Sequence, residues 1–287
     1  MDREAAVSKM TIPQIFDRKQ QGIKITCLTA YDYPTARIVD EAGFDIALVG
    51  DSLGQVVLGY ESTVPVTLEE MLHHLRAVRR GTQRAFVVVD LPYGSYHLGE
   101  KEALAAALRL VKEGGTEAVK LEGGRKRAGL IQALVDAEIP VMAHIGLTPQ
   151  SVNRLGGYAA QGRTLDSANE LLNDAQAVED AGAFAVVLEA MPRELAGIIT
   201  RRLRIPTIGI GAGPDCDGQV LVFHDLVGMS EGPAAKFVRR YAELRGVALR
   251  ALEQFKSDAE QGRYPTDAES YHWSASMREQ FEKVVAR

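Results

Sequence analysis

Short apolar runs, each ending abruptly in polar chemistry and most followed by a helix-spaced segment, recur along this chain. They constrain its fold more than any other feature. The richest begins at Asp45 and ends at Thr67. Ile46 to Val49 has the length and branching of a buried strand, and Gly50-Asp51-Ser52 then opens a loop held close by Gly54 and Gly59. Pro65 and Thr67 close that loop, and Thr67 with Glu70 spells a capping box for the next helix. One acid and one hydroxyl thus sit where a strand gives out, the position from which α/β folds build their sites.

The same pattern returns as ITCLTAY (25–31), FVVVD (86–90), AVKLE (118–122), VMAHIGL (141–147), FAVVLEA (184–190), TIGIGAG (207–213) and an eighth run over 219–227. Between most of them lie amphipathic segments stopped by Gly43, Gly81, Gly114-Gly115 and Gly182, and Pro192 sits in a first helical turn. A short helix is expected over 10–22 and a long amphipathic one over 234–255. Eight strands without a second composition regime indicate a single (β/α)8 TIM barrel over 1–262, with a polar, aromatic-dotted extension over 263–287. A doubly wound open sheet is the alternative, weakened because the first βα turn carries no GxGxxG.

Charge and composition exclude several function classes. A net charge of -5 gives no footprint for nucleic acid, and no apolar run approaches membrane-spanning length. The N-terminal stretch MDREAAVSKM lacks the apolar region of a leader, and Cys27 and Cys216 make neither a disulfide framework nor a zinc pattern. A cytoplasmic address is the expectation.

Side chains alternate faces along a strand, so parity can be read. Lys120 and Glu122 share a face with Ala118, Asp90 with Val88, His144 with Met142 and Glu189 with Val187. Burying five such groups on four strands is costly unless they meet one another or a ligand. Asp51, Asp90 and Glu122 offer three oxygen ligands and no paired cysteine, a donor set that favours Mg²⁺ over Zn²⁺. Without a cation, their repulsion should push at least one carboxylate toward protonation. Lys120 is then available for a substrate carboxylate, and Ser52 can bond a small acid. His144 either donates to a substrate oxygen or is a satisfied core histidine; His73 and His74 read as solvated or structural. GIGAG (209–213) lacks the P-loop lysine and reads as close backbone packing near the site. The glycine-rich stretch 153–164 is either a mobile lid or a plain surface loop.

With these residues in view, the chain resembles the ketopantoate hydroxymethyltransferase (3-methyl-2-oxobutanoate hydroxymethyltransferase) family. The resemblance is carried by LTAYDYPTA, ALVGDSLGQVVLGYESTVPVTLEEM, VVVDLPYGSY, AVKLEGG, HIGLTPQSV, GGYAAQGR, VVLEAMP and IPTIGIGAGPDCDGQVLVFHD, in order over roughly residues 11–230. It implies a barrel of the phosphoenolpyruvate mutase/isocitrate lyase type, a Mg²⁺-bound 2-oxo acid, 5,10-methylenetetrahydrofolate as one-carbon co-substrate and a homo-oligomer. The implied reaction gives 2-dehydropantoate (ketopantoate) in pantothenate biosynthesis. Asp51 and Asp90 match the family's metal and substrate aspartates, Glu122 its third metal carboxylate, Ser52 and Lys120 its substrate-binding positions, and Glu189 its proton acceptor. Two departures stand out: Ala143 replaces the usual glycine before His144, and the tail beyond Pro265 is longer than the family pattern. A lyase or mutase on the same barrel is the runner-up, but it needs a cysteine or comparable acid in the lid, and 153–164 has none. A silent scaffold barrel is the rival from another class.

Overall fold

The structure, a computed structural model, describes residues 8–286; positions 1–7, part of the stretch whose composition argues against a leader, lie outside them. Eight parallel strands close into one barrel in chain order: β1 Ile25–Thr29, β2 Ile46–Val49, β3 Phe86–Asp90, β4 Ala118–Glu122, β5 Val141–Gly146, β6 Ala185–Glu189, β7 Thr207–Ile210 and β8 Gly218–Leu221. β8 pairs back onto β1, Cys27 opposite Val220, so the open-sheet alternative falls.

Parity separates two apolar layers. Cys27, Ile46, Leu48, Val88, Ala118, Met142, Val187 and Ile208 pack inside the barrel, and Ile15 of the helix Ile12–Gln21 packs with them. The alternate positions, among them Val87, Val89, Val119, Leu121, Ala143 and Val186, join the layer packed with the surrounding helices. Each fully buried branched side chain contributes about 1.5–3 kcal/mol relative to exposure, which makes the all-apolar alternation self-enforcing. The helices start where the sequence marks them: the Thr67 side chain accepts from the Glu70 backbone amide, and Glu70 bonds back to the Thr67 amide, opening Leu68–Gly81.

Two expectations are corrected. β8 ends at Leu221 rather than near Val227, because Thr29 Oγ1 accepts the Phe223 backbone N–H at 2.8 Å and the chain turns into a short helix, Phe223–Leu226. The long helix spans Leu244–Glu260, not 234–255. Residues 234–243 have helical spacing, but the Tyr241 and Leu244 amides donate to the Leu226 and Val227 carbonyls at the end of that short helix. This tertiary capping draws the segment across the barrel mouth. From Leu244 onward no described residue is buried, including the helix Ala275–Val285.

Candidate active site

Strand register brings the chemistry together at the carboxyl ends of the strands. Asp90 lies opposite Lys120, Glu122 opposite His144, and Gly146 opposite Glu189. These side chains stand one pleat above the apolar plug and line a cavity of about 460 Å³ with Asp51 and Ser52. All six sequence-predicted acids and bases, Asp51, Asp90, Lys120, Glu122, His144 and Glu189, therefore face one volume. All but Glu189 are buried.

Two hydrogen-bonded groups define the cavity floor. Lys120 Nζ lies 2.5 Å from Asp90 Oδ1, while Asp90 Oδ2 accepts the Asp51 backbone N–H at 3.0 Å. Burial pulls the Lys120 ammonium down, but Asp90, Asp51 and Glu122 outweigh it and hold the group above its ordinary value. Asp51 is raised as well, but here burial is the first cause, and then the Asp90 and Glu122 charges, which together push its carboxyl well above the usual range. That is the repulsion expected of the carboxylate set, concentrated on one member.

On the opposite side, His144 Nε2 is 3.1 Å from Glu189 Oε2 and Nδ1 is 3.5 Å from Glu122 Oε1. Neither ring nitrogen is aimed well enough to form a hydrogen bond, so the attraction is that of charge. Burial pulls the imidazole down, yet the two carboxylates prevail and hold it up at about 9. His144 is thus a cation bridging two acids at neutral pH rather than a satisfied core histidine. His74, by contrast, has the structural role its sequence position suggests, with Nδ1 2.6 Å from the Tyr31 carbonyl.

The donor set fits a hard divalent cation. Four carboxylates face two cations, leaving negative charge in excess, and every protein ligand on offer is an oxygen. Among the described residues no three His, Cys, Asp or Glu side chains are gathered into one preformed grip, and Asp90 is held by Lys120 instead. Asp51 Oδ2 accepts one amide hydrogen, from Gln150, and its Oδ1 accepts none among the described residues.

Several residues of the site escaped the sequence reading. Gln150 and Tyr96 lie buried behind the carboxylates, linked to each other through Tyr96 Oη and Gln150 Oε1. Gln150 follows Thr148-Pro149 in a loop, and nothing in periodicity marks it as buried. Ser52 Oγ meets Tyr31 Oη at 2.8 Å, a partner 21 positions away. Pro233, Ala235 and Phe237, from the segment drawn across the mouth, and Tyr158, from the glycine-rich stretch, line the cavity. Phe237 explains Gly211: that residue has φ +64°, and a Cβ there would stand 2.6 Å from the Phe237 ring. GIGAG is therefore a seat for an aromatic side chain, as close packing near the site requires.

Comparisons with known proteins bear on the family and the fold. The profile of the ketopantoate hydroxymethyltransferase family matches residues 9–267. The chain is 56% identical over 280 residues to the 3-methyl-2-oxobutanoate hydroxymethyltransferase of Koribacter versatilis (strain Ellin345), covering 98% of this chain and 95% of that one. Its counterpart in Dehalococcoides mccartyi (strain ATCC BAA-2100 / JCM 16839 / KCTC 5957 / BAV1) is 53% identical, with 96% and 99% covered. Among solved structures, a phosphonopyruvate hydrolase in complex with oxalate and Mg++ superposes with TM-score 0.59 at 14% identity, covering 96% of this chain and 97% of that one. A 2,3-dimethylmalate lyase of the PEP mutase/isocitrate lyase superfamily gives 0.55 at 17%, with 96% and 97% covered. These two likenesses establish the fold type and no more, whereas the profile and the sequence relatives span nearly the whole chain. The chain belongs to the ketopantoate hydroxymethyltransferase family.

Proposed function

We propose that the barrel-mouth site transfers a hydroxymethyl group from 5,10-methylenetetrahydrofolate to C3 of 3-methyl-2-oxobutanoate, giving 2-dehydropantoate, the ketopantoate of pantothenate biosynthesis. The observation that carries this reading is the gathering of Asp51, Asp90, Lys120, Glu122, His144 and Glu189 around one cavity that also has apolar walls. A 2-oxo acid with a branched tail needs both. Its carboxylate and oxo group call for cationic partners, and its isopropyl group for walls such as Leu48, Leu147, Val187, Ile210 and Val220.

Asp51 and Asp90 would hold a divalent cation, Mg²⁺ on the hardness of the ligands, with Glu122 in support. Bound there, the cation supplies Lewis acidity at the oxo acid's oxygens, which makes the C3 proton easier to remove. The remaining steps belong to the chain. Lys120, fixed on Asp90, has further N–H donors for the substrate carboxylate, and Ser52 offers a hydroxyl beside it. Glu189 keeps 14% of its side chain exposed, the most open of the four acids, and serves as the base that removes the C3 proton. C3 then bonds the folate methylene carbon as the first of that carbon's two C–N bonds breaks, the freed nitrogen taking the proton that left C3. Water replaces the second nitrogen, which leaves with a proton from the water, giving the hydroxymethyl group. Tyr158 and the strap bearing Phe237 stand over this volume and limit the access of water.

Residues 1–262 act as the catalytic domain and 263–287 as an extension to it. The apolar, unburied side chains Val247, Leu249, Leu252 and Phe255 on the helix Leu244–Glu260 support a homo-oligomer, because a soluble monomer rarely exposes such a row. The two free, buried cysteines agree with a cytoplasmic address, and no helix among the described residues is long and apolar enough to cross a membrane. The deciding experiment follows exchange of the C3 proton of 3-methyl-2-oxobutanoate by NMR without folate, then product formation with it. Exchange that depends on a divalent cation and is lost in EDTA is expected. Exchange and turnover at full rate in EDTA-treated protein would overturn the reading.

A further inference from the structure

Gln150 stands behind the carboxylates and belongs to none of the roles above. It is buried, 4% exposed, in the short turn Pro149–Ser151 that follows β5. Its side-chain amide donates from Nε2 to Asp51 Oδ2 at 2.8 Å and to the Leu91 carbonyl at 3.0 Å. Its Oε1 accepts from the Tyr96 hydroxyl at 2.5 Å, and its backbone N–H donates to Glu122 Oε2 at 3.0 Å. Both amide hydrogens and the backbone hydrogen are therefore committed.

The partners also fix which way round the amide sits. Turned over, Oε1 would face the Asp51 carboxylate and the Leu91 carbonyl, two acceptors, in the one place where negative charge is already in excess. Tyr96 enforces the same orientation. Its ring is buried, covered by the Arg127 guanidinium 5.1 Å from the ring centroid, and its hydroxyl also receives the Glu122 backbone N–H at 3.4 Å. A single side chain thus grips Asp51, which follows β2, and its own backbone grips Glu122 at the end of β4. It takes Oδ2 of one and Oε2 of the other.

We propose that Gln150 is a positioning residue that sets the orientation and separation of Asp51 and Glu122 for a divalent cation, with Tyr96 holding Gln150 in register. The proposal rests on the metal reading above. Its content is that two carboxylates from non-adjacent strands are referred to one rigid residue, so that the oxygens Gln150 does not hold, Asp51 Oδ1 and Glu122 Oε1 (the latter beside His144), are the ones presented to the cavity. Hydrogen-bonded partners of metal-ligating carboxylates characteristically change metal affinity about 10–100-fold when removed.

The test is titration of the whole, metal-stripped protein with Mg²⁺ by calorimetry, in the absence of substrates. Gln150→Met keeps the length of the side chain and removes its donors and acceptor; it should weaken Mg²⁺ about 10–100-fold. Tyr96→Phe leaves Gln150 in place but removes the donor that holds its Oε1, and should weaken Mg²⁺ by a smaller factor in the same direction. Leu134→Ala, which opens a cavity in the outer apolar layer, is the stability control and should leave Mg²⁺ affinity at the wild-type level. If Gln150→Met does not fold, Gln150→Asn with Tyr96→Phe carries the same comparison. Folded Gln150 and Tyr96 variants that bind Mg²⁺ within twofold of wild type overturn the proposal, as does an equal loss in Leu134→Ala. Wild-type protein that takes up no Mg²⁺ overturns the metal reading itself and this inference with it.

Discussion

Asp51→Asn should make the metal-free protein more stable while removing its function. In the cation-free site Asp51 is the carboxyl on which burial and the charges of Asp90 and Glu122 converge, and its own pKa is driven upward. An asparagine keeps the acceptor for Gln150 Nε2 and removes the like charge, so no hydrogen bond is lost for the repulsion relieved. Neutralising a functional-site group of this kind stabilises by about 1–2 kcal/mol. For a barrel of this size that is roughly 2–3 °C in Tm. Mg²⁺ at a hundredfold excess over its Kd should stabilise the wild type by about 2.7 kcal/mol and the variant by almost nothing. The two melting curves should therefore cross as Mg²⁺ is added. The pH dependence has a definite sign. A carboxyl whose folded pKa is raised favours the fold at low pH and loses that contribution as pH climbs through the raised value. The advantage of Asp51→Asn should thus vanish below about pH 4 and grow above it. Differential scanning fluorimetry of stripped and Mg²⁺-loaded protein between pH 4 and 9, values set by roughly that window, reads all of this. Asp90→Asn is the contrast: it breaks a buried pair with Lys120 and should cost about 3–5 kcal/mol. A metal-free Asp51→Asn protein that melts below wild type, or one that keeps the full Mg²⁺-dependent rise, would refute the argument.

Other consequences can be checked with simpler assays. Glu189→Gln should lower kcat by about 10²–10⁴ while Mg²⁺-dependent binding of the oxo acid persists. Loss of C3 exchange would make Glu189 the enolising base, retained exchange would assign it to the later step, and near-wild-type turnover would remove it from the mechanism. The same variant should lower the His144 midpoint from about 9 in an NMR titration of the metal-free protein, since one of the two carboxylates raising it is gone; an unmoved midpoint contradicts the His144–Glu189 contact. Sedimentation at micromolar concentration should show an oligomer that Leu252→Glu weakens, and a monomeric wild type would defeat that expectation.

The sequence by itself determined the alternation of elements and the face on which each polar strand-end residue falls. Both are local: a period of two places Lys120 and Glu122 above Ala118 whatever the neighbours do, and Thr67 caps its helix through a residue three positions on. Hence the barrel, most strand limits and the six charged residues of the site were all legible. What only the tertiary structure decided is which of those residues meet. Register across β3, β4 and β5 puts Lys120 on Asp90 and sets His144 beside Glu122, and β6 adds Glu189 on the other side. Gln150 reaches Asp51 across 99 positions, so no window along the chain reveals it as part of the site. Residues 234–243 make the same point from the opposite side. Their spacing is helical, yet the Leu226 carbonyl takes the Tyr241 amide, the Val227 carbonyl takes that of Leu244 just beyond, and Phe237 lodges over Gly211. Helix propensity is worth tenths of a kcal/mol per residue, which a few tertiary hydrogen bonds and one aromatic contact override.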